Sequence, residues 1–189
     1  MKKLYIFDCF GVLVSEIAPR WFAGRFEPDK ANELKNYYFR DADSGKVNIH
    51  EVLCQISRDL NIDHDILLQE WNELIRINRA LFEFAKGLRK TARVALLSNA
   101  PVGLVDKILK DNNLEDCFDK VFISGECKIV KPSIEFYNLC VNSFGEKFDK
   151  IYMIDDNPQN FVELEGSGII PVTYVDNQTL FEYFNEIDR

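Results

Sequence analysis

A chain of 189 residues is long enough for one domain with a modest insertion, and about 70% of its unfolded surface can be buried on folding. Hydrophobic residues at 47%, charged residues at 29%, and only 9 Gly and 6 Pro exclude a disordered or collagen-like chain. A formal charge of −8 argues against a nucleic-acid backbone as partner.

The chain begins with Lys2-Lys3 and an apolar stretch that superficially resembles a signal peptide. Asp8 interrupts that stretch and no small-residue cleavage site follows, so residues 4–7 are expected to be a buried strand instead. After it come about 75 residues with helical patterns at 28–40, 49–60 and 64–86. Asn48 and Glu51 have capping-box spacing, and Asp63 is placed to cap the third helix. Dense apolar runs then recur at 94–97, 121–123, 151–154 and 169–175, most without polar alternation, as in strands covered on both faces of a parallel sheet. Helical segments at 102–110, 134–144 and 159–165 separate the last four runs. The pattern predicts an α/β fold: a Rossmann-like, doubly wound parallel sheet core (1–13 and 87–189) with a small all-helical cap (14–86) inserted after the first strand.

Ligands of an open α/β sheet bind outside the carboxyl ends of the strands. Four such ends are polar here: Asp8-Cys9-Phe10-Gly11, Ser98-Asn99, Lys131 before Pro132, and Asp155-Asp156-Asn157. Pro101, Pro132 and Pro158 are each expected to open a helix beside the crevice, where free N–H groups favour an anion. Asp8, Asp155 and Asp156 supply hard oxygen ligands suited to Mg²⁺. Carboxylate, cation and anion pocket together point to phosphoryl transfer onto a nucleophilic aspartate. Any one of these groups alone is an ordinary turn, cap or surface residue; the combination in this order is not.

With these motifs the chain resembles the haloacid dehalogenase (HAD) superfamily, in the branch with a small helical cap after strand 1, over essentially its whole length. The resemblance implies that Asp8 is the nucleophile, that Ser98 and Lys131 hold the phosphoryl oxygens, and that Mg²⁺ is bound by Asp8, the Phe10 carbonyl and Asp156 with Asp155 alongside; Asn99 adds a further side-chain donor for the phosphate. It also implies a small phosphorylated metabolite as substrate. The family's phosphatases place a second, acid/base aspartate two residues after the nucleophile, and here that position is Phe10. Loss of such a group typically costs 10²–10⁴ in rate, roughly. Asn160 is a milder departure, standing where many relatives carry a further Asp.

Three readings remain open: a slow or selective phosphatase whose proton is moved by water or a cap residue, a 2-haloacid dehalogenase, and a non-catalytic module that binds a ligand or protein. Dehalogenases of the family use no metal and lack an acid pair in the fourth motif, so Asp155-Asp156 speaks against the second.

The remaining candidates have plainer readings. His50 and His64 lack a partner His at i+4 and are expected to be exposed first-turn residues. Cys9, Cys54, Cys117, Cys127 and Cys140 are odd in number and scattered, with no CxxC, and are expected to be reduced thiols of a cytoplasmic protein rather than a disulfide frame or a zinc site. The cap aromatics Trp21, Phe22, Phe26, Tyr37, Tyr38, Phe39 and Trp71 are expected to pack rather than to form a substrate platform. Arg20, Arg25, Arg40, Arg76 and Arg79 are the cations that a closing cap brings within reach of substrate. No run is long and apolar enough to span a membrane, and nothing in the sequence fixes an oligomeric state.

Overall fold

The computed structural model describes residues 1–187. Five strands, β1 (Lys3–Phe7), β2 (Arg93–Ser98), β3 (Lys120–Ile123), β4 (Lys150–Asp155) and β5 (Ile169–Thr173), pair in parallel in the order β3-β2-β1-β4-β5. β1 is therefore central, with β2 and β4 on either side, and the chain reverses direction across it. That places a crevice at its carboxyl end.

The two-residue period of the strands divides the core into two layers. Tyr5, Phe7, Val94, Leu96, Tyr152 and Ile154 face one side, and Leu4, Ile6, Ala95, Leu97 and Met153 face the other. On the first side Tyr5 and Tyr152 stack at 5.2 Å and Phe184 meets both edge-on. Phe184 belongs to α9 (Asn177–Ile187), a helix the apolar pattern does not announce. The second side is closed by Phe136, Tyr137 and Cys140 of α8 (Ile134–Asn142).

The cap contains α1 (Ala18–Ala23), α2 (Pro28–Asp43), α3 (Ile49–Asp59) and α4 (His64–Glu73). The capping box at Asn48 and Glu51 forms with bonds of 3.0 and 2.8 Å, and Asp63 caps α4. The continuous helix expected over 64–86 is instead two, α4 and α5 (Arg79–Leu88). The reason is a long-range pairing. The outgoing and returning connections cross here, with Ser15 N donating to Arg76 O, Arg76 N to Ser15 Oγ, and Asn78 N to Leu13 O, at 2.9–3.0 Å. Val14 and Ile77 form an antiparallel bridge. Backbone groups used in that crossing are unavailable to a helix.

α5 then packs on the core, through Leu81, Phe82 and Ala85 and through Phe84 against Phe181 of α9 at 4.6 Å. The cap boundary expected at residue 86 therefore falls inside a helix that covers the sheet.

Three further expectations are revised. Pro101 does not open a helix: a turn through Val102 and Gly103, whose φ is +83°, precedes α6 (Leu104–Asp111). Pro132 sits inside a turn closed by Ser133 N donating to Val130 O at 3.0 Å, and α8 starts at Ile134. Only Pro158 occupies a first helical position, in a 3₁₀ turn, Pro158–Phe161, that replaces the helix expected over 159–165.

The cap rests on the core where Gly45, at φ +77°, meets Gly125 of α7 (Ser124–Cys127); a side-chain carbon at Gly45 would collide with the Gly125 carbonyl. Beside them Ser124 Oγ donates to Asp43 O at 2.6 Å and accepts from Ala100 N at 3.0 Å.

Candidate active site

Asp8 is the first residue beyond β1, and its amide still donates to Ile154 O at 2.8 Å, so its carboxyl is fixed relative to β4. The chain then curls back: Leu13 N and Val14 N both donate to Cys9 O at 2.8 Å, and Gly11 N donates to Val14 O at 2.7 Å. Gly11 has φ +83°, and a side-chain carbon there would overlap the Asp156 carboxyl. Glycine thus allows the first loop and the Asp156 side chain to share one space.

Lys131 joins the two sides of the crevice. Its Nζ lies 2.9 Å from Asp8 Oδ1 and 2.6 Å from Asp155 Oδ2, and its side chain is 1% exposed. The Lys131 backbone is clamped to Asn99, whose Oδ1 accepts from Lys131 N at 2.8 Å and whose Nδ2 donates to Lys131 O at 3.1 Å. Asn99 therefore positions the lysine through its main chain. Asp155 accepts from Asn157 N at 2.9 Å and from Asn160 Nδ2 at 2.9 Å on both oxygens. Asn160 thus holds this acid in place. Ser98 is fully buried at the end of β2, and its hydroxyl has no partner among the described residues.

The electrostatics of this group are unbalanced. Ligand oxygens of Asp8, Asp155 and Asp156 all lie within 4.8 Å of one another, with the Lys131 ammonium against the first two. Burial raises Asp8 to about 7; Lys131 pulls it down and Asp155 pushes it up. Burial and Asp155 also raise Asp156. Burial lowers Lys131, but the two carboxylates it touches prevail and hold it above its ordinary value, so the ammonium stays charged. A convergent set of hard oxygens carrying more negative charge than one ammonium neutralises fits Mg²⁺ by donor type and by charge.

Over this group lies a cavity of about 170 Å³. Its core wall includes Asp8, Phe10, Asn99, Lys131 and Asp156. The cap wall includes Glu16, Lys35, Phe39, Asp43 and Trp71. Four carboxyl groups therefore line it against two lysines, so an anion would enter with a divalent cation rather than alone.

Of the cap residues anticipated from sequence, the aromatics Trp21, Phe22, Tyr38, Phe39 and Trp71 are buried, and Phe39 and Trp71 also face the cavity. None of the five arginines lines it; Arg25, for example, pairs with Glu70. The residues that sequence reasoning missed are Glu16, Lys35 and Asp43. Lys35, Phe39 and Asp43 fall at i, i+4 and i+8 on α2, one face of the helix, and that spacing was the available signal. Burial raises Glu16, as does Asp156, against the pull of Lys35. Burial likewise raises Asp43 to about 6, with Lys35 opposing.

The arrangement can do three things chemically. It presents a buried carboxylate to an electrophile, gathers oxygen ligands for a divalent ion, and sets cap carboxyls raised by burial in the lining of the same small cavity.

Comparison with known proteins agrees with this construction. A family model described as haloacid dehalogenase-like hydrolase matches residues 2–161. A HAD-like family hydrolase from Porphyromonas gingivalis shares the fold with a TM-score of 0.78 at 20% identity, over 100% of this chain and 98% of that one. A HAD family enzyme from Bacteroides thetaiotaomicron, in complex with magnesium and inorganic phosphate, matches with a TM-score of 0.75 at 22% identity, over 96% and 100% of the two chains. The L-2-haloacid dehalogenase from Xanthobacter autotrophicus matches with a TM-score of 0.63 at 16% identity, over 98% of this chain and 83% of its own. At these identities the likeness speaks for the fold, which both phosphate-binding and dehalogenating members share.

Proposed function

Because the chain belongs to the haloacid dehalogenase-like hydrolases, we propose that it is a Mg²⁺-dependent phosphatase of a small phosphorylated metabolite. The observation that carries this reading is the convergence of Asp8, Asp155 and Asp156 within 4.8 Å around the buried Lys131 ammonium. A dehalogenase has no use for that acid pair. The magnesium and phosphate bound by the Bacteroides relative support the same reading.

In this mechanism an Asp8 oxygen attacks phosphorus, the O–P bond forms, and the bond to the leaving oxygen breaks. Lys131 and the unpartnered Ser98 hydroxyl hold the transferring oxygens, and Asn99 keeps Lys131 in register. Asp8, Asp155, Asp156 and the Phe10 carbonyl would hold Mg²⁺, which when bound neutralises charge on the phosphoryl group. Phe10 leaves the first loop without a proton donor, and Glu16, raised by burial, fills the role from the cap. Its carboxyl protonates the leaving oxygen. As carboxylate it then takes a proton from the water that attacks the aspartyl-phosphate, releasing inorganic phosphate and regenerating Asp8.

The test is phosphate release from a panel of phosphorylated metabolites, with Mg²⁺ and with EDTA, using Asp8→Asn as control. Turnover that needs both Mg²⁺ and Asp8 is expected. Phe10 favours a second reading, a binding module without turnover, and silence across the panel from folded protein would establish that instead. Chloride release from a 2-haloacid in the absence of metal would overturn both.

A further inference from the structure

His50 and His64 lie in the first turns of α3 and α4, as expected from sequence, and His50 is exposed, but His64 is partly buried and the two rings meet edge to face, 5.8 Å apart. Between the helices that carry them lies Cys54, one turn after His50 on α3, with its Sγ 3.6 Å from His50 Nε2. One ligand atom from each of the three residues lies within 4.8 Å of the others. His64 Nδ1 is buried and has no hydrogen-bond partner among the described residues. A buried ring nitrogen without a partner is costly unless something else satisfies it.

The geometry points to a second metal site, in the cap: we propose that His50, Cys54 and His64 bind Zn²⁺ across the α3–α4 contact. Zn–S of about 2.3 Å and Zn–N of about 2.0–2.1 Å at a tetrahedral angle place sulfur and nitrogen about 3.6 Å apart. The Cys54–His50 pair has that separation already. One thiolate and two imidazoles form a borderline-soft donor set that suits Zn²⁺ and not Mg²⁺. This site is distinct from the carboxylate group, since none of its three residues lines the cavity over Asp8. Three protein ligands leave one position for water, on the exposed His50 side.

The scattered cysteines argue from sequence against a zinc site, yet His50 and Cys54 stand at i and i+4 on one helix face, a spacing which that reading overlooked; the approach of His64 depends on how α3 and α4 fold back on each other. Metal at this point ties the two helices together near the end of α3 that touches the core, where Ile49 N donates to Val102 O at 3.4 Å.

The experiment is a Co²⁺ titration of the full, tag-free, chelator-stripped chain in excess Mg²⁺, which occupies the carboxylate site. One equivalent should give a thiolate-to-cobalt charge-transfer band together with the intense visible bands of tetrahedral Co²⁺, and Zn²⁺ should displace both. The band should be lost in Cys54→Ser and in His64→Gln, and kept in Cys127→Ser and Asp8→Asn, with far-UV circular dichroism unchanged throughout. No charge-transfer band in the wild-type protein overturns the proposal, whatever the variants do. So does a band that survives Cys54→Ser or disappears in Cys127→Ser.

Discussion

On the core wall of the cavity Lys131 is held between Asp8 and Asp155, and Asp155 is held in turn by Asn160 and the Asn157 amide. On the cap wall Glu16, Lys35 and Asp43 form no side-chain hydrogen bond or ion pair among the described residues, although they line the same space. The core wall is thus organised by strand ends that fix Asp8, Lys131 and Asp155 against one another. The cap wall presents its charged groups to the cavity rather than to one another. Preorganised charge is what stabilises a reacting centre, whereas unpartnered polar groups facing a cavity are what recognise and enclose a substrate.

The core wall breaks most severely at Lys131. Lys131→Met leaves Asp8 and Asp155 buried without their cation, and removing one partner of a buried pair costs about 3–5 kcal/mol. Urea unfolding should show a loss of that size, with phosphate release at background. A loss under about 1 kcal/mol, the range of an exposed pair, would mean that the core wall is not a coupled charge network.

How much of this was legible follows from the same contrast. The five strands and the loops that carry Asp8, Ser98, Lys131 and Asp155 could be placed because a buried parallel strand is a continuous apolar run and its polar end is a local signal. Cap geometry is not local. Ile75 and Ile77 extend the apolar pattern of α4, yet the pairing of Ser15 with Arg76 ends that helix, a contact between residues 61 apart. α1 is only six residues long with a proline in its first turn, too short for periodicity to register. The anion cradle of three proline-led helices was expected from a correct local rule. The turns at Val102-Gly103 and at Lys131-Pro132 overrode it.

Glu16 tests whether the cap replaces what Phe10 lacks. Glu16→Gln should lower kcat by about 10²–10⁴ with little change in stability. Phe10→Asp should raise turnover in the wild-type background and recover most of what Glu16→Gln loses. A Glu16→Gln enzyme with unchanged kcat would assign the proton to water. Lys35 has a smaller expected effect: Lys35→Ala should raise KM about tenfold at constant kcat, the signature of lost uniform binding. A fall in kcat instead would move Lys35 into the transition-state set.

Asp43 separates the two walls by sign rather than by size. Burial holds its carboxyl at about 6, above the ordinary 3.8, and Lys35 offsets only part of that. The folded chain therefore binds this proton more tightly than the unfolded one. The stability contributed by the neutral form is fully present below pH 3.8 and is lost as the pH rises through about 6. At pH 7 the folded protein carries this partly buried carboxylate at a cost of about 3 kcal/mol. Asp43→Asn removes that titration, so its urea midpoint should exceed that of wild type at pH 7 and match it at pH 3.5, roughly. Activity should fall at the same time if this carboxyl contacts substrate. Greater stability with lower activity is the mark of a group kept for function at the expense of the fold, while Lys131→Met loses both together. An Asp43→Asn protein no more stable than wild type at pH 7 would mean that its carboxylate is adequately solvated. The cap wall would then owe its unpaired groups to exposure rather than to substrate.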